Sequence, residues 1–519
     1  MAMEYTEEQL NNFDKTTLVQ LFLVQQSQLR DIDQKLQLLL EQAAVLNNNR
    51  FGKSSEKLGT ENQISFLEVD GNIIYFNEAE AIDSLAEYED NETTKPRGRK
   101  AKGKRAADIQ GLPVIPVEHK MTEEELISEF GEDGWYQLED EIYNRYRFTP
   151  MKVEIEEHHV GVYKSKKDNH FKKANHPTYL LRNSLVSPTL LAGIWNAKYV
   201  NAEPLYRQEQ EFRRMGLNID RADMAHWTIL CAERYLSVFY DYLHEKIYNY
   251  HVLQADETPV LVSKENRTKG SKHYMWVYRT VKMYPDKQIV LYEYQPSRNA
   301  SHPRAFLKDF KGVCVTDGYQ VYHTIEKERE DLRIAGCWTH ARRRFDEAVK
   351  ALPKDRQKSS LAYLALKQIQ AIYREENKPA SMTIEERLKH RQLTVKSLVD
   401  AYFTWAKQNL LSVTPKSKTA KGLTYSLNQE KYLKTFLEDG EVPMDNNSAE
   451  QAIRPFCVGK KNWVMIDTIA GAEASAIIYS IAETAKANNL KPYHYFEYLL
   501  TEIPKHMDDH DTSFCEDLL

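Results

Sequence analysis

Cysteine is scarce. Five residues, Cys231, Cys314, Cys337, Cys457 and Cys515, stand singly in a chain of 519. None forms a C-x-x-C pair, so neither a disulfide framework nor a zinc knuckle is expected, and a reducing compartment suits the chain. No apolar run reaches the roughly 18–20 residues that span a bilayer. The opening stretch MAMEYTEEQLNNFDK is too acidic and polar for a secretory leader, so a cytoplasmic protein with no membrane partner is expected. Excess positive charge is lacking as well. The formal net charge is −6, so any affinity for nucleic acid has to come from local clusters. What is there is ordinary for a globular protein, 42% hydrophobic and 28% charged, and long enough for about two to four domains.

Residues 1–52 read as an N-terminal helix. Leu18, Phe22, Leu29, Ile32, Leu36, Leu39, Ala43 and Leu46 follow 4-3 spacing broken at Gln25. That is either a coiled-coil seam of about four heptads, and hence self-association, or a helix packed on its own domain. Residues 53–111 read as a linker, with a hairpin around Asp70-Gly71 in FLEVDGNIIYF. It ends in KPRGRKAKGKR (95–105), seven of whose eleven residues are Lys or Arg. Its glycines and proline forbid a stable helix. Lys95, Arg97, Arg99 and Lys100 could enter a DNA minor groove or simply be solvated. The PRGRK core resembles an AT-hook with Lys100 in place of the usual proline.

Residues 112–182 suggest a small β-containing module in which His158 and His159 point to opposite faces of a strand as ordinary surface histidines. No cysteine lies between 106 and 230, so no zinc is expected there. Residues 183–250 turn helical with a break at Gly216, a helix-turn-helix pattern. Arg207, Arg213 and Arg214 could face phosphate, or the pair could be a helical hairpin packed on the next domain.

From residue 251 the period changes. HVLQADETPVLV, HYMWVYRTV and QIVLYEY read as three meandering strands. SHPRAFLKDF reads as a helix, GVCVTDGY as a fourth strand, LRIAGC as a fifth, and WTHARRRFDEAVKAL as a closing helix. That order, over 251–352, is the ribonuclease-H-like α/β pattern. It places the first and fourth strands side by side, with Asp256 closing one and Asp317 the other. Residues 353–440 read as an all-helical insertion, and 471–519 as a C-terminal helical region.

Two converging aspartates can be turn formers, or they can bind a cation. Close carboxylates repel until one pKa rises or a cation neutralises them, and Mg²⁺ prefers oxygen donors. The segment 441–470 contains PMDNNSAEQAIRPF, in which Asn446, Asn447 or Ser448 can cap a helix and Pro455 would normally interrupt it. Glu450 there either pairs with Arg454 one turn on or returns to the sheet as a third ligand.

ADETP, TDGY, GCWTHARRRF, DNNSAEQAIRPF, GKKNW and YSIAETAKANNLKPYHYFEYLL together resemble the insertion-sequence sixty-six family of bacterial DDE transposases, over about residues 180–503. The resemblance implies a ribonuclease-H-like core with a helical insertion before the last acid, and catalytic, metal-binding roles for Asp256, Asp317 and Glu450. Two Mg²⁺ or Mn²⁺ ions per site would serve cleavage of transposon ends and 3′-hydroxyl strand transfer into target DNA. His340, Arg342, Arg343, Arg344, Arg454, Lys460 and Lys461 would flank the site and hold phosphates. Trp338 and Trp463 are expected to pack. A homodimer or higher homo-oligomer and companion proteins of the same element are further expectations. The family's cysteine-rich zinc segment has no counterpart in 112–182. Two rivals stand beside this reading: a metal-dependent nuclease of the same fold, and a non-catalytic DNA-binding derivative.

Overall fold

The computed structural model describes residues 152–164, 166, 170–175, 179–182, 184–263, 272–284, 287–378, 382–509 and 511–519, preceded by residues 119–132, 66–69 and 72–75 and by single positions 15, 19, 22, 23, 26 and 116. The chain divides into two compact units, residues 53–155 and residues 1–52 with 156–519. In the smaller unit β1 (Phe66–Val69) and β2 (Asn72–Tyr75) pair antiparallel with Val69 opposite Asn72, the hairpin expected from FLEVDGNIIYF. Helix α1 (Glu123–Phe130) starts on a capping box formed by Thr122 and Glu125. The basic arm with Lys95, Arg97, Arg99 and Lys100 lies outside the described residues. So does most of the N-terminal seam, of whose surroundings Lys15, Val19, Phe22, Leu23 and Gln26 are helical and exposed.

In the larger unit, a short hairpin of β3 (Val162–Lys164) against β4 (Phe171–Lys173) follows residue 156. His158 and His159 precede it in backbone without strand structure, contrary to expectation. The reason is local: Glu154, Glu156 and Glu157 surround Ile155, which is 92% exposed, so no buried face exists to hold a strand. Helices α2 (Pro188–Trp195), α3 (Leu205–Arg214), α4 (Arg221–Cys231) and α5 (Ser237–Lys246) follow. The expected break is real. Gly216 takes φ +83°, and Asp220 caps α4 by accepting from the amides of Ala222 and Asp223, both at 2.8 Å. Arg213 and Arg214 are spent on Glu209 and Glu211 of their own helix, and Arg207 is exposed.

A five-stranded mixed sheet organises this unit. Its strands are β5 (Val252–Val260), β6 (His273–Thr280), β7 (Val290–Gln295), β8 (Gly312–Thr316) and β9 (Leu332–Gly336), in the order β7-β6-β5-β8-β9. The first three run antiparallel; β5, β8 and β9 are parallel. Helices α6 (Ser301–Phe306) and α7 (Gln320–Lys327) lead into β8 and β9, and α8 (Trp338–Lys350) leaves the last strand. The first and fourth strands therefore do lie side by side.

The 353–440 segment is helical where described: α9 (Lys354–Gln357), α10 (Leu361–Glu376), α11 (Ile384–His390), α12 (Lys396–Leu410), α13 (Lys418–Asn428) and α14 (Glu430–Lys434). It shares one core with the sheet instead of forming a separate lobe. Val313, Val315, Ala341 and Phe345 pack with Ile369, Val399, Phe403 and Leu423. Trp338 is fully buried there, and its indole N–H donates to the Leu433 carbonyl at 2.8 Å. After it come α15 (Asn447–Trp463), α16 (Ile469–Ala487) and α17 (Pro492–Glu502).

Helix α16 covers the sheet edge that β7 would otherwise expose. The Tyr292 amide donates to Ser480 Oγ at 2.7 Å, and the Val290 amide to Thr484 Oγ1 at 3.0 Å. The Gln288 amide donates to Asn488 Oδ1 at 2.9 Å, while Asn488 Nδ2 returns a bond to the Gln288 carbonyl at 2.7 Å. Every second strand residue meets every fourth helix residue. The match is physical, because two strand residues advance about 6.6 Å and four helical residues about 6.0 Å. The polar positions in YSIAETAKANN thus substitute for a neighbouring strand.

Thr484→Val keeps the shape but orphans the Val290 amide. We expect a loss of about 1–3 kcal/mol in chemical denaturation, against a change within about 0.5 kcal/mol for Thr501→Val on an exposed face. A second expectation concerns pH. Burial raises the Glu293 carboxyl on β7 from 4.5 to about 7, with Tyr240, Tyr248 and Tyr278 facing it. The folded chain therefore holds a proton that the unfolded chain has released, so Glu293 favours folding below pH 4.5, and that contribution is lost as pH rises through about 7. In Glu293→Gln, that part of the slope of melting temperature against pH should disappear.

Candidate active site

Parallel pairing between β5 and β8 ends at Gln254 opposite Val315. Asp256 lies two residues beyond that last pair. Asp317 directly follows Thr316, the end of β8. Asp317 thus stands at the C-terminal end of β8, and Asp256 in mid-strand just past the parallel pairing of β5 with β8. Asp256 does not close its strand, as the sequence suggests; β6 remains its partner and carries β5 on to Val260.

The turn after β8 is built for Asp317. Its Oδ1 accepts the Tyr319 amide at 2.9 Å, and Gly318 takes φ +90°. A Cβ on Gly318 would also meet the Tyr425 hydroxyl at 2.9 Å. That hydroxyl, on α13, donates to the Asp317 carbonyl at 2.8 Å. The helical 353–440 segment therefore clamps the Asp317 turn.

Glu450 returns to this rim because the segment before α15 is stitched between β5 and α8. Gln254 Nε2 donates to the Asp445 carbonyl at 3.0 Å, and the Trp338 amide to the Met444 carbonyl at 3.2 Å. Asn446 is fully buried. It fills the N-cap position of α15 without a side-chain cap bond and instead donates Nδ2 to the Ala255 carbonyl at 2.8 Å, beside Asp256. Thr339 Oγ1 donates to Asn447 Oδ1 at 3.0 Å. Helix α15 then runs through Pro455 to Trp463, although proline has no N–H for the Gln451 carbonyl. Glu450 accepts a bond from Arg343 Nη2 at 3.0 Å and lies 3.5 Å from His340 Nδ1, both on α8.

The electrostatics follow from this crowding. Burial, then the charges of Glu257, Asp317 and Glu450, push the Asp256 carboxyl well above the usual range. Glu257, on the next strand position, is raised to about 7 by burial and by Asp317, against the opposing pull of Arg298. Arg298 Nε donates to Glu257 Oε1 at 2.7 Å, and the guanidinium lies 3.8 Å above the Tyr319 ring. Burial lowers His340 despite the charge of Glu450, which keeps its ring neutral near pH 7. Among the described residues, Glu450 Oε1, Glu257 Oε2, Asn446 Oδ1 and Gln254 Oε1 are buried acceptors without a hydrogen-bond partner. Carboxylate oxygens are the donors that a hard divalent cation takes, but among the described residues those of Asp256, Asp317 and Glu450 do not all lie within 4.8 Å of one another.

The other basic residues divide. Arg342 and Lys461 are exposed, and Arg454 and Lys460 half-buried. Lys460 Nζ is held by the Pro259 carbonyl at 2.7 Å, and Arg344 stacks over Tyr425 at 4.2 Å. Trp463 packs edge-on against Phe456 with centroids 5.5 Å apart. Sequence reasoning missed Glu257 and Arg298. The signal for Glu257 was its place beside Asp256 in an apolar strand; Arg298 sits in a polar loop and gave none. It also missed Arg279, a buried arginine whose Nη1 donates to the Ser448 carbonyl at 3.3 Å. Arg279 and Lys282 line a cleft of about 1450 Å³ that also touches Gln451 and Lys486.

Three families of sequence match the chain. One described as "Transposase IS66 family" matches residues 183–474, the "IS66 C-terminal element" matches 480–519, and "Transposase C of IS166 homeodomain" matches 38–117. Three uncharacterized proteins of Sinorhizobium fredii are similar: y4qI at 30% identity, y4hP at 24% and y4jD at 28%. The matches cover 63%, 64% and 65% of this chain and 61%, 62% and 66% of those relatives.

Asn446→Leu removes the tether to Ala255 at nearly constant volume. We expect a loss of about 1–3 kcal/mol and faster amide hydrogen exchange over residues 444–450 than in the parent, with exchange in β7 unchanged.

Proposed function

The chain belongs to the IS66 family of transposases, and from that premise we propose that it cuts and joins DNA through a DDE triad of Asp256, Asp317 and Glu450 on a ribonuclease-H-like core. One observation carries the reading most. The charges of Asp317 and Glu450, remote in sequence, both act on Asp256, which lies just past the last parallel pair of β5 with β8. In this reading 353–440 is the helical insertion preceding the third acid, and residues 251–352 and 441–470 form the catalytic core.

The three carboxylates would hold Mg²⁺ or Mn²⁺, two ions per site. When bound, such ions neutralise charge on the transferring phosphoryl group and lower the pKa of a nucleophilic water. The protein's own contribution is position. Arg343 and neutral His340 orient Glu450, Tyr425 and Gly318 fix the Asp317 turn, and Asn446 ties α15 to the backbone next to Asp256. In the first reaction water attacks the phosphodiester at the transposon end, and the P–O bond breaks to leave a 3′-hydroxyl. In the second that hydroxyl attacks a target phosphodiester, and the target strand's own 3′-oxygen leaves. No covalent protein intermediate is required.

DNA would be gripped by His340, Arg342, Arg343, Arg344, Arg454, Lys460 and Lys461 around the rim and by Arg207 on α3. Lys95, Arg97, Arg99 and Lys100 of the basic arm would add a flexible contact. Lys282, whose Nζ donates to Gln451 Oε1 at 2.6 Å, extends the set beside α15. A homodimer through the 18–46 seam, action in the cytoplasm, and companion proteins of the element complete the proposal.

The test is a strand-transfer assay with duplex carrying the element's terminal sequence, a supercoiled plasmid target, and Mg²⁺ or Mn²⁺. The intact chain should yield joined product. Asp256→Asn, Asp317→Asn and Glu450→Gln should each reduce it at least about a thousandfold while leaving end binding intact. Cleavage without joining would replace this reading with a nuclease. Activity that survives Asp256→Asn would remove the triad altogether.

A further inference from the structure

A second donor set meets at Glu450, and its chemistry is softer. Cys337 precedes α8, His340 lies in that helix's first turn, and Glu450 comes from α15. One ligand atom from each, sulfur, ring nitrogen and carboxylate oxygen, lies within 4.8 Å of the others. His340 Nδ1 and Glu450 Oε1 are 3.5 Å apart, and both atoms are buried without a hydrogen-bond partner. At that separation they do not satisfy one another, because a good N–H···O bond is about 2.9 Å. Ligands around a tetrahedral ion with bonds of about 2.0–2.1 Å lie about 3.3 Å apart, close to the spacing observed.

The sulfur is prepared too. Cys337 Sγ accepts the Asn446 amide at 3.2 Å and also the His340 amide. Burial and the charges of Asp445 and Glu450 push the Cys337 thiol up, against the two amides and the positive end of α8, so the proton leaves only when a cation takes its place. Arg343 holds the other oxygen of Glu450 and leaves Oε1 free to turn inward.

We propose that Cys337, His340 and Glu450 form a tetrahedral site for a thiophilic divalent cation of the zinc class, with water as the fourth ligand. Binding displaces the Cys337 thiol proton to solvent. The expected absence of zinc came from the lack of C-x-x-C pairs and from the cysteine-free 112–182 segment. The donors here are a Cys-x-x-His pair completed by a glutamate from a distant helix, a combination outside that search. One consequence rests on the proposed function. Glu450 cannot serve both sites at once, so a thiophilic ion withdraws it from Asp256 and Asp317 and opposes Mg²⁺.

Co²⁺ titrated into the full-length, metal-free chain tests the site without reference to DNA. One equivalent should give a sulfur-to-cobalt charge-transfer band and the visible bands of tetrahedral cobalt, both abolished by Zn²⁺. Cys337→Ser should lose the charge-transfer band, His340→Gln and Glu450→Gln should weaken binding at least about tenfold, and Asp256→Asn should leave it unchanged. His340 is half-buried, so its variant retains a readout if burial makes the Cys337 variant unstable. No band in the parent chain, or a band that Cys337→Ser leaves intact, overturns the proposal. Cobalt bands without any strand transfer would keep this site and discard the DDE reading. Strand transfer without cobalt bands would do the reverse.

Discussion

Four carboxylates share one half-buried rim, and their mutual repulsion is the constraint around which the rest of the larger unit is arranged. Asp256, Glu257, Asp317 and Glu450 come from two strands and one distant helix. Burial and like charge raise Asp256 and Glu257, which is unfavourable for folding. Three of the four have their own restraint. Glu257 is neutralised by Arg298, Glu450 by Arg343, and Asp317 is locked by the Tyr319 amide. No ion pair reaches Asp256 or Asp317 among the described residues, and burial with like charge pushes the Asp256 carboxyl up.

The helical 353–440 segment is part of that restraint. Its core is continuous with the sheet through Phe345 and Trp338, so α13 can deliver Tyr425 to the Asp317 turn at a fixed height. The same continuity lets the chain return after the insertion between β5 and α8, where Asn446 and Gln254 hold it. A long excursion in sequence therefore costs little precision at the rim. The covered edge at β7 adds rigidity from the opposite side, since Ser480, Thr484 and Asn488 complete the hydrogen bonding that a sixth strand would have supplied.

Much of the fold was legible beforehand. The period-2 runs of β5 to β9, the helical character of 353–440, the break at Gly216 and the hairpin in FLEVDGNIIYF all express local preferences that the structure keeps. The errors also have local causes. Residues 152–159 have strand-like alternation but no apolar face to bury, so they stay irregular. Pro455 reads as a helix breaker, yet α15 is packed against β5 and continues through it.

The sequence by itself determined the strand order and the residue types of the site, because hydrophobic period and turn chemistry act over a few residues. Its motifs were enough to identify the family. Only the tertiary structure decided that Glu450 takes its partners from α8, that Glu257 joins the acidic rim with Arg298, and that Cys337 and His340 converge on the same carboxylate. Those outcomes depend on bonds such as Asn446 to Ala255 and Tyr425 to Asp317, whose partners are far apart along the chain. No periodicity within a short window can encode which distant backbone group a buried polar side chain will satisfy.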